Sequence, residues 1–285
     1  MDSAAIASSD TAFDPPPLSK RAIEGWIGDS GWTGKCAVEV VDQTSSTSAD
    51  LMARARRVHF AQPVLRATDF QHEGRGRQGR PWFALPRHAL LFSMGMPLAE
   101  LPASLPAITL ACGVALAECL RSRGVEVHLK WPNDLRVDGR KLGGILSELA
   151  ADDKARFTLV VGVGINLHLE PSTRHMIDQP ALGLDEVLPP AIVAAEREAW
   201  IGRLAAATLQ TLDVFTRQGF AAFRPRFSAL MEGRGRAVDV MDNGTVVVSG
   251  RLADVDSHGR LLIEVGGGPP RTVSVGDVVF RDATP

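Results

Sequence analysis

The sequence predicts an α+β fold: a mixed, largely antiparallel sheet with helices, followed by a small β-rich unit. Three observations carry that expectation. Short apolar strand patterns alternate with hairpin signals as well as helices, which argues against a doubly wound sheet. Long helical patterns occupy residues 104–123 and 190–218. From Gly235 the texture changes to short β runs separated by Asn243-Gly244, His258-Gly259 and a Gly-Pro cluster, the spacing of a small barrel of about five strands.

The elements follow in order. Residues 1–20 are small, polar and proline-rich and are expected to form a disordered leader, although "LSKRAIEGWI" has room for a short helix. "CAVEVVDQ" alternates as a strand. "TSSTSADLMARARR" then reads as a helix with Ser46, Thr47 or Ser48 at its N-cap and Asp50 in the first turn. "PVLRATDF" is a strand that runs into a glycine–arginine loop, and "HALLFSMGM" is the buried strand after it. One apolar helix spans 104–123 and stops at Gly124. Asp138-Gly139 is a two-residue hairpin turn. Counting back from it places Arg136 opposite Lys141, and Asn133-Asp134 opposite Gly143-Gly144. "FTLVVGVGINLHL" is a further buried strand. Gly219 divides a helix at 190–218 from one at 220–231. The resulting division is a leader at 1–20, a main domain at 21–233 and a β-domain at 234–285.

The 285 residues, 45% hydrophobic and 22% charged, suit one large and one small soluble domain. A net charge of −2 argues against bulk nucleic-acid binding. Cys36, Cys112 and Cys119 have no metal-ligand spacing and form no even disulfide set, which suggests a reducing, cytoplasmic setting. Cys112 and Cys119 fall in the apolar helix and are expected in the core. The longest apolar stretch, 103–120, carries a proline and a glutamate and reads as a buried helix, not a membrane span. No secretory signal opens the chain.

Three segments could carry chemistry. "QHEGRGRQGRPW" sets Arg75, Arg77 and Arg80 between Gly74, Gly76 and Gly79, so a bendable backbone can aim guanidinium forks at a carboxylate or phosphate. A solvated basic loop or a nucleic-acid contact is the alternative. In "KWPNDL" and "GRKLGGIL", two strand glycines face the polar pair Asn133-Asp134, a pattern that admits close approach of a ligand. Lys141 beside them is either a point charge for an acidic ligand or a surface lysine. "VVGVGINL" holds Gly162 and Gly164 and ends on Asn166. With Leu167 where a third glycine is required, the dinucleotide fingerprint is incomplete. Trp82 and Trp131 border the first two segments, as ligand covers or as core. No nucleophile–base pair, carboxylate pair or metal cluster stands out, so catalysis here would rest on positioning and charge stabilisation.

In this order and spacing, "SSTSADL", "QHEGRGRQGRPW", "KWPNDL…GRKLGGIL" and "VVGVGINL" resemble the biotin protein ligases over residues 37–282. The resemblance implies a catalytic domain like that of class II synthetases and an SH3-like C-terminal domain. It implies that biotin is activated with ATP and passed to a lysine of the biotin carboxyl carrier protein of acetyl-CoA carboxylase. Magnesium would be carried by ATP, not fixed by the protein. By the same resemblance, Ser46, Thr47, Ser48, Gln71, Arg75, Gly76, Arg77, Lys141 and Gly144 match biotin-site positions. Arg77, Trp82, Asn133 and Asn166 match the ATP and adenylate side, and Lys141, Arg75 and Arg77 match the catalytic cations. The family usually has Ser-Thr-Asn where this chain has Ser46-Thr47-Ser48, which shortens the reach toward the ureido ring. Arg281 is weighed as a contact of the β-domain or a solvated residue. Some relatives carry an N-terminal DNA-binding domain, and the poorly patterned start of this chain leads us to expect no DNA partner. Relatives pair through a sheet edge, so a homodimer stays open. A lipoate or octanoate ligase, a DNA-binding regulator and a non-catalytic nucleotide-binding module are the alternative readings.

Overall fold

The computed structural model describes residues 13–281. Helix α1 (Lys20–Asp29) leads into β1 (Ala37–Thr44), α2 (Thr47–Ala55), β2 (Val64–Gln71), β3 (Ala89–Leu98) and α3 (Ile108–Arg121). Then come β4 (His128–Lys130), β5 (Asp134–Val137), β6 (Arg140–Ala151) and β7 (Phe157–Asn166). These seven strands form one sheet in the order β1-β2-β3-β7-β6-β5-β4. The β1–β2 pair is parallel, with α2 crossing between the two strands, and the other neighbours are antiparallel. Helices α4 (Pro171–Met176), α5 (Pro190–Ala195), α6 (Arg197–Gln218) and α7 (Arg224–Leu230) follow. The C-terminal unit is a five-stranded antiparallel sheet built from β8 (Ala237–Asp242), β9 (Thr245–Val255), β10 (Leu261–Glu264), β11 (Arg271–Val273) and β12 (Asp277–Phe280).

The two faces of the large sheet differ, and β7 shows why. Side chains alternate along a strand. Leu159, Val161, Val163 and Ile165 therefore enter the main core, where α1, α3 and α6 lie. Val160 joins a smaller cluster under α2 with Leu51, Met52 and Phe60. Gly162 and Gly164 alternate with the core residues, and their missing side chains leave this second face open for a cavity. "VGVGIN" is thus a strand with one apolar and one empty face, not a phosphate-binding turn.

Three expectations need correction. The leader does not extend to residue 20: residues 13–19 lie against the main domain, with Leu18 buried. Prolines 15–17 have no N–H to satisfy. Arg87 donates to the Pro15 carbonyl at 2.8 Å and Arg197 to the Pro16 carbonyl at 2.7 Å. Residues 1–12 of that expected leader lie outside the described residues. The hairpin register matches at Arg136–Lys141, but a bulge after Leu135 then places Asp134, not Asn133, opposite Gly144. The long helix expected at 190–218 breaks at Glu196, whose φ of −103° and ψ of 19° leave the helical region.

Candidate functional site

A cavity of about 350 Å³ lies over the second face, and every residue chosen from the sequence lines it: Ser46, Thr47, Ser48, Gln71, Arg75, Gly76, Arg77, Trp82, Asn133, Lys141, Gly144 and Asn166. The start of α2 supplies its hydroxyl-rich wall. Ser46 caps that helix by accepting the Ala49 N–H at 3.3 Å. Thr47 donates both its N–H and its hydroxyl to Gln71 Oε1, at 2.7 and 2.9 Å. The hydroxyls of Thr47 and Ser48 also meet Ser93 Oγ, at 2.7 and 2.9 Å. A Cβ on Gly162 would stand 2.4 Å from Ser48 Oγ, so this glycine is what lets the hydroxyl cluster form.

Sequence reading missed Ser93, which is fully buried on β3. It hides inside a continuous apolar run. The signal was its parity, since it alternates with Leu90, Phe92 and Met94, which all point into the main core.

The remaining wall is aromatic and cationic. Trp82 lies against the glycines of β7 and β6: a Cβ on Gly164 would fall 2.8 Å from its ring and one on Gly144 3.5 Å. Lys141 Nζ stands 5.8 Å from the Trp82 ring centroid and 2.8 Å from Asp134 Oδ1. Both partners of that ion pair are mostly buried, at 19% and 13% side-chain exposure. Lys141 is held at its backbone as well, donating to the Pro180 carbonyl at 2.8 Å and accepting from Leu182 N–H at 3.0 Å. Asn133 and Asn166 spend an amide donor on neighbouring backbone, the carbonyls of Ile145 at 3.0 Å and Leu182 at 3.2 Å.

The glycine–arginine loop is folded on itself. Trp82 N–H reaches the Gly74 carbonyl at 2.8 Å and Gly76 N–H the Arg80 carbonyl at 2.7 Å. A single 3-10 turn at Arg77–Gly79 reverses the chain, with Gly79 at φ +72°. Arg75 is exposed, 3.6 Å from the Glu73 carboxylate. Arg77 donates to Asp277 Oδ1 at 2.9 Å and to the Gly276 carbonyl at 3.3 Å, while Arg80 pairs with the other Asp277 oxygen. Asp277, at the start of β12, therefore brings the C-terminal domain into the cavity wall. Nothing local in the sequence links it to a loop two hundred residues away. Arg281 instead pairs with Asp239 Oδ1 of its own domain, at 2.7 Å.

The site thus holds its cations on exchangeable carboxylates. An incoming carboxylate or phosphate can take their place on Lys141 and the arginines, and the guanidinium forks can make paired bonds to it. The hydroxyls and the Gln71 amide suit a neutral polar group.

The similarities to known proteins agree with this geometry. Residues 40–166 match the Biotin/lipoate A/B protein ligase family, and residues 234–281 match the Biotin protein ligase C terminal domain. The chain is 35% identical over 277 residues to the biotin–[acetyl-CoA-carboxylase] ligase of Mycobacterium tuberculosis, spanning 93% of this chain and 96% of that protein. It is 30% identical over 254 residues to the bifunctional ligase/repressor BirA of Escherichia coli, spanning 89% of this chain and 76% of that one. In fold, it resembles the structure of the biotin protein ligase from Aquifex aeolicus in complex with biotin and ATP, with a TM-score of 0.67 at 24% identity over 86% of this chain and 98% of that one. Matched in sequence over nearly its whole length, and in both of its domains, the chain belongs to the biotin protein ligase family.

Proposed function

We propose that the protein activates biotin with ATP to biotinyl-5'-AMP, then transfers the biotinyl group to a lysine of the biotin carboxyl carrier protein of acetyl-CoA carboxylase. The observation that supports this best is the union of two unlike walls in one cavity, a hydroxyl–amide wall at Thr47, Ser48 and Gln71 and a cationic–aromatic wall at Lys141, Arg77 and Trp82. The first suits a ureido ring, the second an acyl phosphate and an adenine. A match to the biotin ligase C-terminal domain favours biotin over lipoate or octanoate as the acid.

In the first step a biotin carboxylate oxygen attacks the α-phosphorus and pyrophosphate leaves. Lys141, released from Asp134, neutralises the carboxylate and α-phosphate together, and Arg75 and Arg77 add charge from the loop. Gly76 and Gly144 leave room for the acyl chain, and Ser46 orients the wall by capping α2. Trp82, Asn133 and Asn166 border the adenylate. In the second step the carrier amine attacks the acyl carbon, AMP leaves, and the closed loop keeps water from the mixed anhydride.

Among the described residues, the cavity wall holds no group of three carboxylate, histidine or cysteine ligands that would fix a magnesium ion, its carboxylates being Asp134, Asp178 and Asp277. We therefore assign magnesium to the incoming nucleotide. The same reading places the protein in the cytoplasm, with no membrane and no DNA partner. Among the described residues, no helix is long and apolar enough to cross a membrane. A homodimer would form at an edge of the large sheet, which ends on β1 and β4. Sedimentation equilibrium and DNA retardation at low salt check these two points.

Pyrophosphate exchange into ATP, run in parallel with biotin, lipoate and octanoate, tests the function. Biotin-dependent exchange is expected. Exchange with another acid alone would keep the fold and overturn the substrate. Lys141→Ala should lower exchange by about 10²–10³, and unchanged exchange would remove the role given to this lysine.

A further inference from the structure

A cluster outside the cavity is left unused by the ligase reading. His88 precedes β3, and His168 and Glu170 follow β7. One ligand-type atom from each lies within 4.8 Å of the other two, the one such trio among the described residues, and none of the three lines the cavity. Each imidazole has one nitrogen committed to an oxygen. His168 Nδ1 bonds Asp185 Oδ2 at 2.5 Å, and His88 Nε2 meets the Phe13 carbonyl at 3.0 Å. That leaves His168 Nε2, which faces Glu170 Oε1 at 3.4 Å, and His88 Nδ1, which is buried without a partner.

This is the arrangement of metal-ligating histidines, in which the distal nitrogen donates to a carboxylate or a carbonyl and fixes the tautomer. The spacing agrees. Two ligand atoms on one tetrahedral ion at ~2.1 Å stand about 3.4 Å apart, and two imidazoles bound side by side have centroids about 5 Å apart. Here the His168–Glu170 contact is 3.4 Å, and the two rings are 5.2 Å apart at 76°.

We propose that His88, His168 and Glu170 bind one divalent transition-metal ion of the zinc class, clamping the residue before β3 to the β7–α4 connection. Two imidazoles and one carboxylate suit zinc, cobalt or nickel, whereas magnesium prefers oxygen ligands, so this site is distinct from the nucleotide's metal. Glu170 and the nearby Asp185 balance the charge of the ion. A nitrogen now buried unpaired, at a cost of about 1–3 kcal/mol, gains its partner. Phe13 closes the site, stacked on His168 at 5.1 Å and edge-on to His88 at 5.4 Å. The site also touches function at a distance, because Met176 at the end of α4 and Ile177 after it line the cavity.

The test uses untagged, chelator-treated, nucleotide-free full-length protein titrated with Co²⁺. Expected are one equivalent of saturable binding with visible absorption bands of a low-coordinate nitrogen–oxygen site, displacement by Zn²⁺, and no displacement by Mg²⁺. His88→Ala, His168→Ala and Glu170→Gln should each weaken Co²⁺ binding at least about tenfold. Glu170 is partly exposed, so its substitution keeps the test valid where a histidine variant fails to fold. Phe13→Ala, which retains the carbonyl, should change binding only a few-fold. Absence of saturable Co²⁺ uptake by the folded protein would overturn the proposal. So would uptake unchanged in Glu170→Gln, or uptake lost instead in His72→Ala.

Discussion

Gly162 and Gly164 sit two residues apart on β7, yet they face different parts of the ligand cavity. A methyl on Gly162 meets Ser48 Oγ at 2.4 Å, so Ser48 must turn away and break its 2.9 Å bond to Ser93. A methyl on Gly164 meets the Trp82 ring at 2.8 Å and lifts the indole from its seat. Each change costs about 1–3 kcal/mol where it falls, roughly 5- to 150-fold in binding. Gly162→Ala should therefore raise KM for biotin and leave KM for ATP nearly unchanged, and Gly164→Ala should do the reverse. Steady-state exchange kinetics with each substrate varied separately will show this. Equal effects on both substrates would mean that the two walls do not divide the ligand as assigned. The same pair shows how far single residues were legible. Glycine at alternate strand positions could be seen to admit a ligand, but Ser93 could not be singled out before its partners were known.

At the scale of elements, local chemistry was the legible part. The α2 cap, at the first of the three positions expected for it, the Asp138-Gly139 turn and the period-2 strands lie where their spacing places them, because each depends on neighbours in the chain. What depended on distant partners was not legible. The bulge after Leu135, the seated Phe13–Ser19 strap and the Asp277 clamp on the glycine–arginine loop all arise from contacts between remote segments. That clamp leads to a prediction. Asp277→Ala frees Arg77 and Arg80 and leaves the loop with little but its own turn, so trypsin should cut after Arg77 several-fold faster in the ligand-free protein, the Arg80–Pro81 bond being resistant. Biotin with ATP should restore protection, and equal cleavage rates in the two proteins would show that the clamp does not order the loop. A second prediction concerns the 180–186 segment that borders Lys141. Burial alone would raise the Glu186 pKa, but Arg174 Nη2 at 2.7 Å, Gly183 N–H at 2.9 Å and Arg140 Nη1 at 2.6 Å outweigh it, and the net shift is downward. A carboxyl lowered on folding contributes stability above its unfolded pKa, which is lost as pH falls through the folded value. The loss of Tm in Glu186→Gln should thus be present at pH 7 and disappear on acidification below 4.5. A constant difference across that range would refute the linkage.

At the scale of the whole molecule, the C-terminal domain is bound too closely to act as a tethered accessory. Trp131, buried within the KWPNDL segment, donates its indole N–H to the Gly259 carbonyl at 3.0 Å, across the boundary between the sheets. Arg224 reaches the Val255 carbonyl at 2.8 Å, and Ser228 meets Asp254 at 2.5 Å. Phe280 fills the space where a Gly233 side chain would be. With Asp277 in the cavity wall, these contacts join the domain to both the ligand site and the core helices, so unfolding of one unit removes partners from the other. We expect a single calorimetric transition for the full chain, with calorimetric and van't Hoff enthalpies in agreement. Gly259 is where this coupling can be broken with one atom. Its φ is +77°, and an added Cβ would fall 2.6 Å from Ala107 Cβ and 2.9 Å from Leu110 Cδ1 at the start of α3. Gly259→Ala combines backbone strain with an interdomain clash, about 1–3 kcal/mol for each. It should split the transition in two, the β8–β12 unit melting first, and lower exchange activity at temperatures between the two midpoints. Two transitions already present in the unmodified protein would show instead that the domains fold independently and that the loop clamp is an occasional contact between them.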